Sequence, residues 1–139
     1  MLPKVEDSPV VRTTIDESAW TKVCELIQQP LADGAGGEFR AYVAFIDDAA
    51  FRNLSEDELL ERVPEDFGHS FLMVVDSSTV GSAEYPILVI DLYERKRRFR
   101  AIPSQIQSIQ NNLSIGNLDF ADFADYVDED GIFRGGGFT

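Results

Sequence analysis

The apolar residues of this chain are arranged in short runs that predict strands. Residues 42–46, 71–75 and 87–90 are nearly continuous apolar runs, which are typical of strands buried on both faces. A β-type run at 10–13 precedes them, and polar and apolar residues alternate at 98–102, which indicates an edge strand with one solvated face. The pattern therefore predicts a sheet of about five strands.

Apolar residues at helical spacing fill the segments between and after these runs. Residues 20–27 carry apolar side chains at i, i+3, i+4 and i+7, the spacing of a helix that faces the core. Ser55 and Glu58 form a capping-box pair that begins a short second helix. Residues 106–113 and 120–127 repeat the helical spacing. The predicted order is therefore β-α-β-α-β-β-β-α-α.

This order is typical of an α/β fold, in which a mixed sheet is covered by helices. We expect the first three strands to be parallel, with right-handed crossovers, and the fourth to be antiparallel. The length of 139 residues and the apolar fraction of 44% predict one acidic domain over residues 1–139. Within it, residues 134–139 are expected to be a flexible Gly-rich tail or, alternatively, a segment that docks into an assembly.

Charge is distributed unevenly along the chain. The formal net charge is −13, from 25 acidic and 12 basic residues, yet five of the basic residues lie in the run 95–100. The acid is densest at 119–130. A field of this sign repels nucleic acid and anionic membranes and favours cationic partners. The basic run has two interpretations: like charges that discourage aggregation of a strand edge, or a phosphate-binding site.

The residue types required by most catalytic mechanisms are scarce. Cys24 is the only cysteine, so an internal disulfide and a cysteine-based zinc site are excluded, and its place on the apolar face of a helix predicts a structural thiol. The only histidine, His69, precedes a strand and so lies at the wrong end of the sheet for a catalytic triad. We predict no catalytic residues. The N-terminus lacks a signal-peptide pattern, which favours a cytoplasmic location.

Polar residues follow the predicted parallel strands at their carboxyl ends, where ligands bind in α/β sheets. Asp47, Asp48 and Asp76 are placed there, with Ser77 beside the last. Three carboxylates in one crevice would suit Mg²⁺ and hence binding or hydrolysis of a phosphate ligand. Asp and Ser are equally ordinary as turn and capping residues. Asp91 ends an antiparallel strand and is expected at the opposite edge.

The acidic C-terminal segment supports our leading hypothesis, a non-enzymatic binding protein of the immunity, inhibitor or regulatory type. Asp122, Asp125, Asp128 and Asp130 would contact a basic partner protein. Acidic surfaces accelerate association with cationic partners and contribute to specificity. The alternative explanation for the charge is solubility alone. On this hypothesis no cofactor is required, whereas the phosphate-ligand alternative would use Mg²⁺.

Several segments are similar to a known family. They are 10–13, 41–43, 89–92, 111–123 and 127–134, of which the C-terminal segments are the most specific. The chain resembles small, single-domain proteins of unknown function that occur widely in actinobacteria. The resemblance implies one compact cytoplasmic domain and brings no activity or catalytic residue with it.

Overall fold

The computed structural model describes residues 1–32, 36–95 and 97–135. The strands are β1 (Ser8–Arg12), β2 (Leu31–Ala32), β3 (Glu38–Phe39), β4 (Val43–Ile46), β5 (Phe71–Val75), β6 (Ile87–Asp91), β7 (Arg98–Ala101) and β8 (Ile132–Phe133). The α-helices are α1 (Glu17–Gln28), α2 (Glu56–Leu60), α3 (Ser77–Val80), α4 (Ile106–Ser114) and α5 (Phe120–Ala124). Two short 3-10 helices lie at Ala49–Phe51 and Pro103–Gln105.

The main sheet has six strands in the order β4-β1-β5-β6-β7-β8. Strand β1 is parallel to both β4 and β5, whereas β6 is antiparallel to β5 and to β7. These pairings confirm the α/β fold with a mixed sheet, including the parallel arrangement of the first three predicted strands. A separate antiparallel pair, β2 and β3, was not predicted.

The C-terminal part of the sheet differs from the prediction. Strand β7 is not an edge, because β8 pairs with it in parallel, with Ile132 opposite Arg100 and Phe133 opposite Ala101. The chain reverses into β8 at Gly131, whose φ of 79° is in the left-handed region that favours glycine. Helix α5 also ends at Ala124, earlier than predicted, so Asp128 and Asp130 lie in the turn before β8.

Both faces of the central strands are buried, as their continuous apolar sequences predicted. Along β5 and β6 successive residues alternate between two hydrophobic clusters. One cluster packs beneath α1, α4 and α5, and the other lies against α2, the Ala49–Phe51 helix and the N-terminal Leu2. None of the helices in the described part of the chain combines the length and apolar character needed to cross a membrane.

Side-chain caps fix the starts of two helices. The Asp16 side chain accepts the Ala19 N–H at 3.0 Å at the start of α1. Ser55 and Glu58 form the predicted capping box at α2, with bonds of 3.0 and 3.1 Å. These local bonds satisfy backbone donors that would otherwise be unpaired in the first turn of each helix.

An aromatic cluster attaches the C-terminal segment to the sheet. Phe99 of β7 lies 5.0 Å from Phe120 and 6.4 Å from Phe133, measured between ring centroids. Phe123 lies 5.3 Å from Phe133 in a T-shaped arrangement. Phe133 is only 1% exposed, so the two-residue strand β8 places a fully buried ring in the core.

We expect Phe133→Ala to lower the free energy of unfolding by about 3–5 kcal/mol, because it leaves a cavity beside the rings of Phe99 and Phe123. Tyr93→Ala is the matched control, since Tyr93 is 84% exposed and its removal should change stability by about 0.5 kcal/mol or less. Urea unfolding of both variants measures the difference. Equal effects would contradict the docking of β8 on the core.

Candidate functional site

A crevice of about 340 Å³ lies at the carboxyl ends of β1 and β5. Of the three carboxylates predicted to meet there, Asp76 lines it, together with Thr13, Ser77 and Arg100. Asp47 and Asp48 are not among its lining residues. The structure therefore does not bring the predicted magnesium ligands together in this crevice.

Asp76 is bound on both carboxylate oxygens by an arginine of the basic run. Arg100 donates from Nη1 to Oδ1 at 2.9 Å and from Nη2 to Oδ2 at 2.8 Å. Oδ1 also accepts the Thr79 N–H at 3.0 Å, which caps α3. Burial alone would raise the pKa of Asp76, but the bonds and charge of Arg100, with those of Thr79, hold that pKa below its usual value. The ionised side chain thus joins β7 to the start of α3.

The other two predicted ligands are likewise engaged by neighbouring residues. Asp47 accepts from Nη1 of the buried Arg12 at 3.3 Å and forms an ion pair with Arg52. Asp48 accepts the Ala50 N–H at 2.9 Å and so caps a 3-10 helix. Within the described residues, no group of three or more His, Cys, Asp or Glu side chains is arranged to hold a metal ion.

The side chains of the basic run bond to the protein's own acceptors. Arg95 donates to the Leu60 carbonyl at 3.1 Å, and Arg98 pairs with Glu56. Arg97 donates to Glu94 at 2.9 Å, and Arg100 binds Asp76 as described. Lys96 lies outside the described residues. The described guanidinium groups are therefore already paired, and an external phosphate would have to displace a carboxylate or a carbonyl.

A second arginine organises the acidic C-terminal segment. Arg134 donates to both carboxylate oxygens of Glu84 at 2.8 Å, to Asp128 at 2.7 Å and to Asp130 at 2.6 Å. These bonds, above all those to Glu84, raise the pKa of Arg134, and Arg134 lowers the pKa of both Glu84 and Asp130. We call these four residues the Arg134 cluster. Its carboxylates are about half exposed.

Arg134 is the first residue of the predicted flexible tail, and it forms ion pairs with these three carboxylates. Residues 136–139 of that tail lie outside the described residues. The buried ring of Phe133 and the Arg134 bonds thus fix the chain up to this point.

The two remaining predicted contact residues lie on and just after α5. Asp122 accepts the Asp119 N–H at 2.7 Å in the first turn of the helix. Asp125 follows the helix and is exposed. Its charge contributes to the raised pKa of the Arg97 guanidinium, after the larger effects of Glu94 and then Asp91. The four predicted acids thus form one continuous segment, residues 122–130, which we call the acidic segment.

A larger groove of about 710 Å³ lies at the opposite end of the sheet. It is bounded by residues 68–71 before and at the start of β5, by the connection from β6 to β7, and by residues from the end of α4 to the start of α5. Asp91 lines it, directly opposite Phe71 in the strand register, which confirms that Asp91 lies at the other edge from Asp76. We call this cavity the Asp91 groove.

Sequence reasoning placed Asp91 and His69 at this end of the sheet but did not identify a site there. His69 lines the groove, and its Nε2 lies 2.7 Å from the Val5 carbonyl. Tyr93 and Ile115 also line it and are strongly exposed. The only local signal for this groove in the sequence is Asp91 at the end of a buried strand, with Tyr93 two residues later.

The single thiol takes a structural position. Cys24 is partly buried against the core beside α1's buried residues. Burial, with a smaller contribution from Asp47, raises the pKa of its thiol to about 12. The thiol therefore stays protonated at neutral pH, as expected for an unreactive packing residue.

A comparison with protein families gives a match over most of the chain. A family model described as "Domain of unknown function (DUF6924)" matches residues 7–136 of this chain. No curated protein matches the chain at a significant level. The matched residues include those that line both cavities and the whole acidic segment.

We expect Mg²⁺ to produce no Asp76-dependent stabilisation, because Arg100 binds both oxygens of that carboxylate. A site occupied at about a hundred times its Kd would add about 2.7 kcal/mol. Melting temperatures in Mg²⁺ and in EDTA, compared between wild type and Asp76→Asn, measure the effect. A shift seen in wild type and lost in Asp76→Asn would contradict this expectation and support the magnesium alternative.

The same variant tests the ion pair itself. Because the pKa of Asp76 is lowered in the folded state, its contribution is fully present above the unfolded value of about 3.9 and is lost as the pH falls through the lower folded value. We expect Asp76→Asn to cost about 1–3 kcal/mol at pH 7 and progressively less below pH 4. Urea unfolding across this pH range measures it. A cost that does not depend on pH would contradict the pairing, and Asp57→Asn at an exposed position is the control.

Proposed function

The chain belongs to the DUF6924 family, and we propose that it is a non-enzymatic protein-binding module that presents an acidic surface to a basic partner protein. The observation that carries this proposal concerns the bonding of the protein's own basic residues. They bind the protein's own carboxylates and leave a large excess of acid for other molecules.

Most of the basic side chains in the described residues form internal ion pairs. The paired bases are Lys4, Arg12, Arg40, Arg52, Arg97, Arg98, Arg100 and Arg134. With a net charge of −13, the surface that remains is strongly negative. Such a field attracts cationic proteins from a distance and opposes the approach of nucleic acid and anionic membranes.

The acidic segment is the contact surface that we propose. Asp125, Asp128 and Asp130 are exposed, and Arg134 holds the last two in fixed positions. A carboxylate that accepts one or two bonds from Arg134 still has lone pairs for an external donor. Because the geometry is set before binding, a partner would not bear the cost of ordering these side chains.

The magnesium-dependent alternative remains a prediction. It would require a metal ion to replace Arg100 at Asp76 and to recruit Asp47 from Arg12 and Arg52. The binding proposal requires no such rearrangement, which is why we favour it.

An octalysine peptide is a suitable first probe of the acidic segment. We expect the variant Asp122→Asn, Asp125→Asn, Asp128→Asn, Asp130→Asn to bind it about tenfold more weakly than wild type, a loss of about 1.4 kcal/mol. Asparagine keeps an acceptor oxygen for the Asp119 and Ile132 N–H groups, so the local fold should persist. Calorimetric titration at two salt concentrations measures the affinity, which should fall as the salt screens the charges.

The control carries the same change of charge on other exposed positions: Glu25→Gln, Asp57→Asn, Glu61→Gln and Glu65→Gln. Binding that weakens equally in both variants would show that the peptide responds to net charge alone. In that case the acidity serves solubility, and the proposed contact surface is wrong.

A further inference from the structure

We propose that the Asp91 groove receives an arginine side chain of the partner, with Asp91 as the carboxylate that binds the guanidinium group. This inference rests on the proposed binding of a basic partner and adds the residue that anchors it. The acidic segment then attracts the partner from a distance, and the groove makes the specific contact.

The dimensions of the groove suit a bound side chain. Its volume of about 710 Å³ lies within the range of about 300–1,000 Å³ that is usual for ligand pockets. It is about twice as large as the crevice at Asp76. The walls are formed by the ends of strands β5 and β6 on one side and by the connection from α4 to α5 on the other. An inserted chain segment would therefore contact protein on more than one side.

Asp91 is buried but only partly paired. Its side chain is 7% exposed, and Oδ1 accepts the Tyr93 N–H at 2.9 Å. Oδ2 forms an ion pair with Nε of Arg97 at 3.9 Å, which is too long for a hydrogen bond. Among the described residues, no fully enclosed side-chain nitrogen or oxygen lacks a hydrogen-bond partner, so this oxygen keeps some exposure, and Asp91 is a lining residue of the groove. An external donor would complete the bonding of a carboxylate that is otherwise costly to bury.

The charge of the groove selects a cation. Asp91, Glu94 and Asp119 line it, against one arginine, Arg97. Arg97 donates to Glu94 at 2.9 Å, and its guanidinium carbon lies 5.3 Å from the centre of the Phe120 ring. These contacts hold Arg97 in place, and its Nε forms an ion pair with Asp91 only at 3.9 Å. The remaining negative charge in a partly enclosed cavity opposes anions.

The rim offers apolar contact to the stem of an arginine. Tyr93 is 84% exposed and Ile115 is 77% exposed, and both line the groove. Exposed aromatic residues beside a pocket are typical anchors of protein interfaces. A guanidinium group stacks on aromatic faces and loses its hydration more readily than an ammonium group, so arginine fits this site better than lysine.

The groove is continuous with the acidic segment. Helix α5 begins at the groove, where Phe120 and Ala121 are lining residues, and it ends next to Asp125. The negative charge of Asp125 also makes a small contribution to the raised pKa of Arg97. A basic partner drawn to the acidic segment would therefore arrive beside the opening that contains Asp91.

The probe for the groove is N-acetyl-arginine amide, with the uncharged citrulline analogue as its isosteric control. In a ¹H–¹⁵N NMR titration we expect saturable shifts of the Tyr93 and Ile115 amides with the arginine probe and none with citrulline. Asp91→Asn should weaken the arginine probe by about tenfold or more, because it removes the charge and keeps the acceptor for the Tyr93 N–H. Glu94→Gln, at an exposed position, should weaken it less.

The spectrum of each variant shows directly whether it is folded, and Glu94→Gln provides a second test if Asp91→Asn does not fold. Shifts with citrulline as large as those with arginine, or unchanged affinity in both variants, would overturn the inference. Equal affinity for N-acetyl-lysine amide would overturn the preference for arginine. If the arginine probe fails while octalysine still requires the acidic segment, the groove assignment is wrong and the proposed function stands. If octalysine alone fails, the acidic contact surface is wrong and the groove assignment stands.

Discussion

The rest of the structure depends on the burial of β5 and β6 on both faces, combined with the reversal of direction between them. Burial of both faces requires helices above and below the sheet and moves polar residues to the ends of the strands. Because β5 is parallel to β1 but antiparallel to β6, the acids that end these two strands point to opposite ends of the molecule. Asp76 and Asp91 are thereby separated into two cavities with different surroundings.

The arginine beside each of these carboxylates determines how readily the carboxylate can bind an external cation. Arg100 forms two parallel hydrogen bonds with Asp76, one to each carboxylate oxygen, whereas Arg97 pairs with Asp91 only at 3.9 Å. Exposed ion pairs contribute little to stability, on the order of 0–1 kcal/mol. Their greater effect here is to fix side chains and to decide which acids remain free for external cations.

The acidic segment and the Asp91 groove would have different roles in binding a partner. The acidic segment is exposed and screened by salt, so its main effect on a basic partner would be on the rate of association. The Asp91 groove is partly enclosed, and a charge-assisted bond made there would be stronger and more dependent on geometry. Since α5 connects the two, the short helix and the turn after it are central to the proposed interface.

The sequence by itself determined the features that depend on local pattern. Continuous apolar runs identified the central strands, Ser55 and Glu58 marked a helix start, and the element order gave the α/β fold with Asp91 at the far edge. Tertiary structure alone decided the pairing of β8 with β7, the early end of α5, and the partner of each carboxylate. The physical reason is distance along the chain: Asp76 meets Arg100 from 24 residues away, and Glu84 meets Arg134 from 50 residues away. Apolar periodicity is a property of neighbouring residues, whereas an ion pair or a groove exists only after distant segments have packed together.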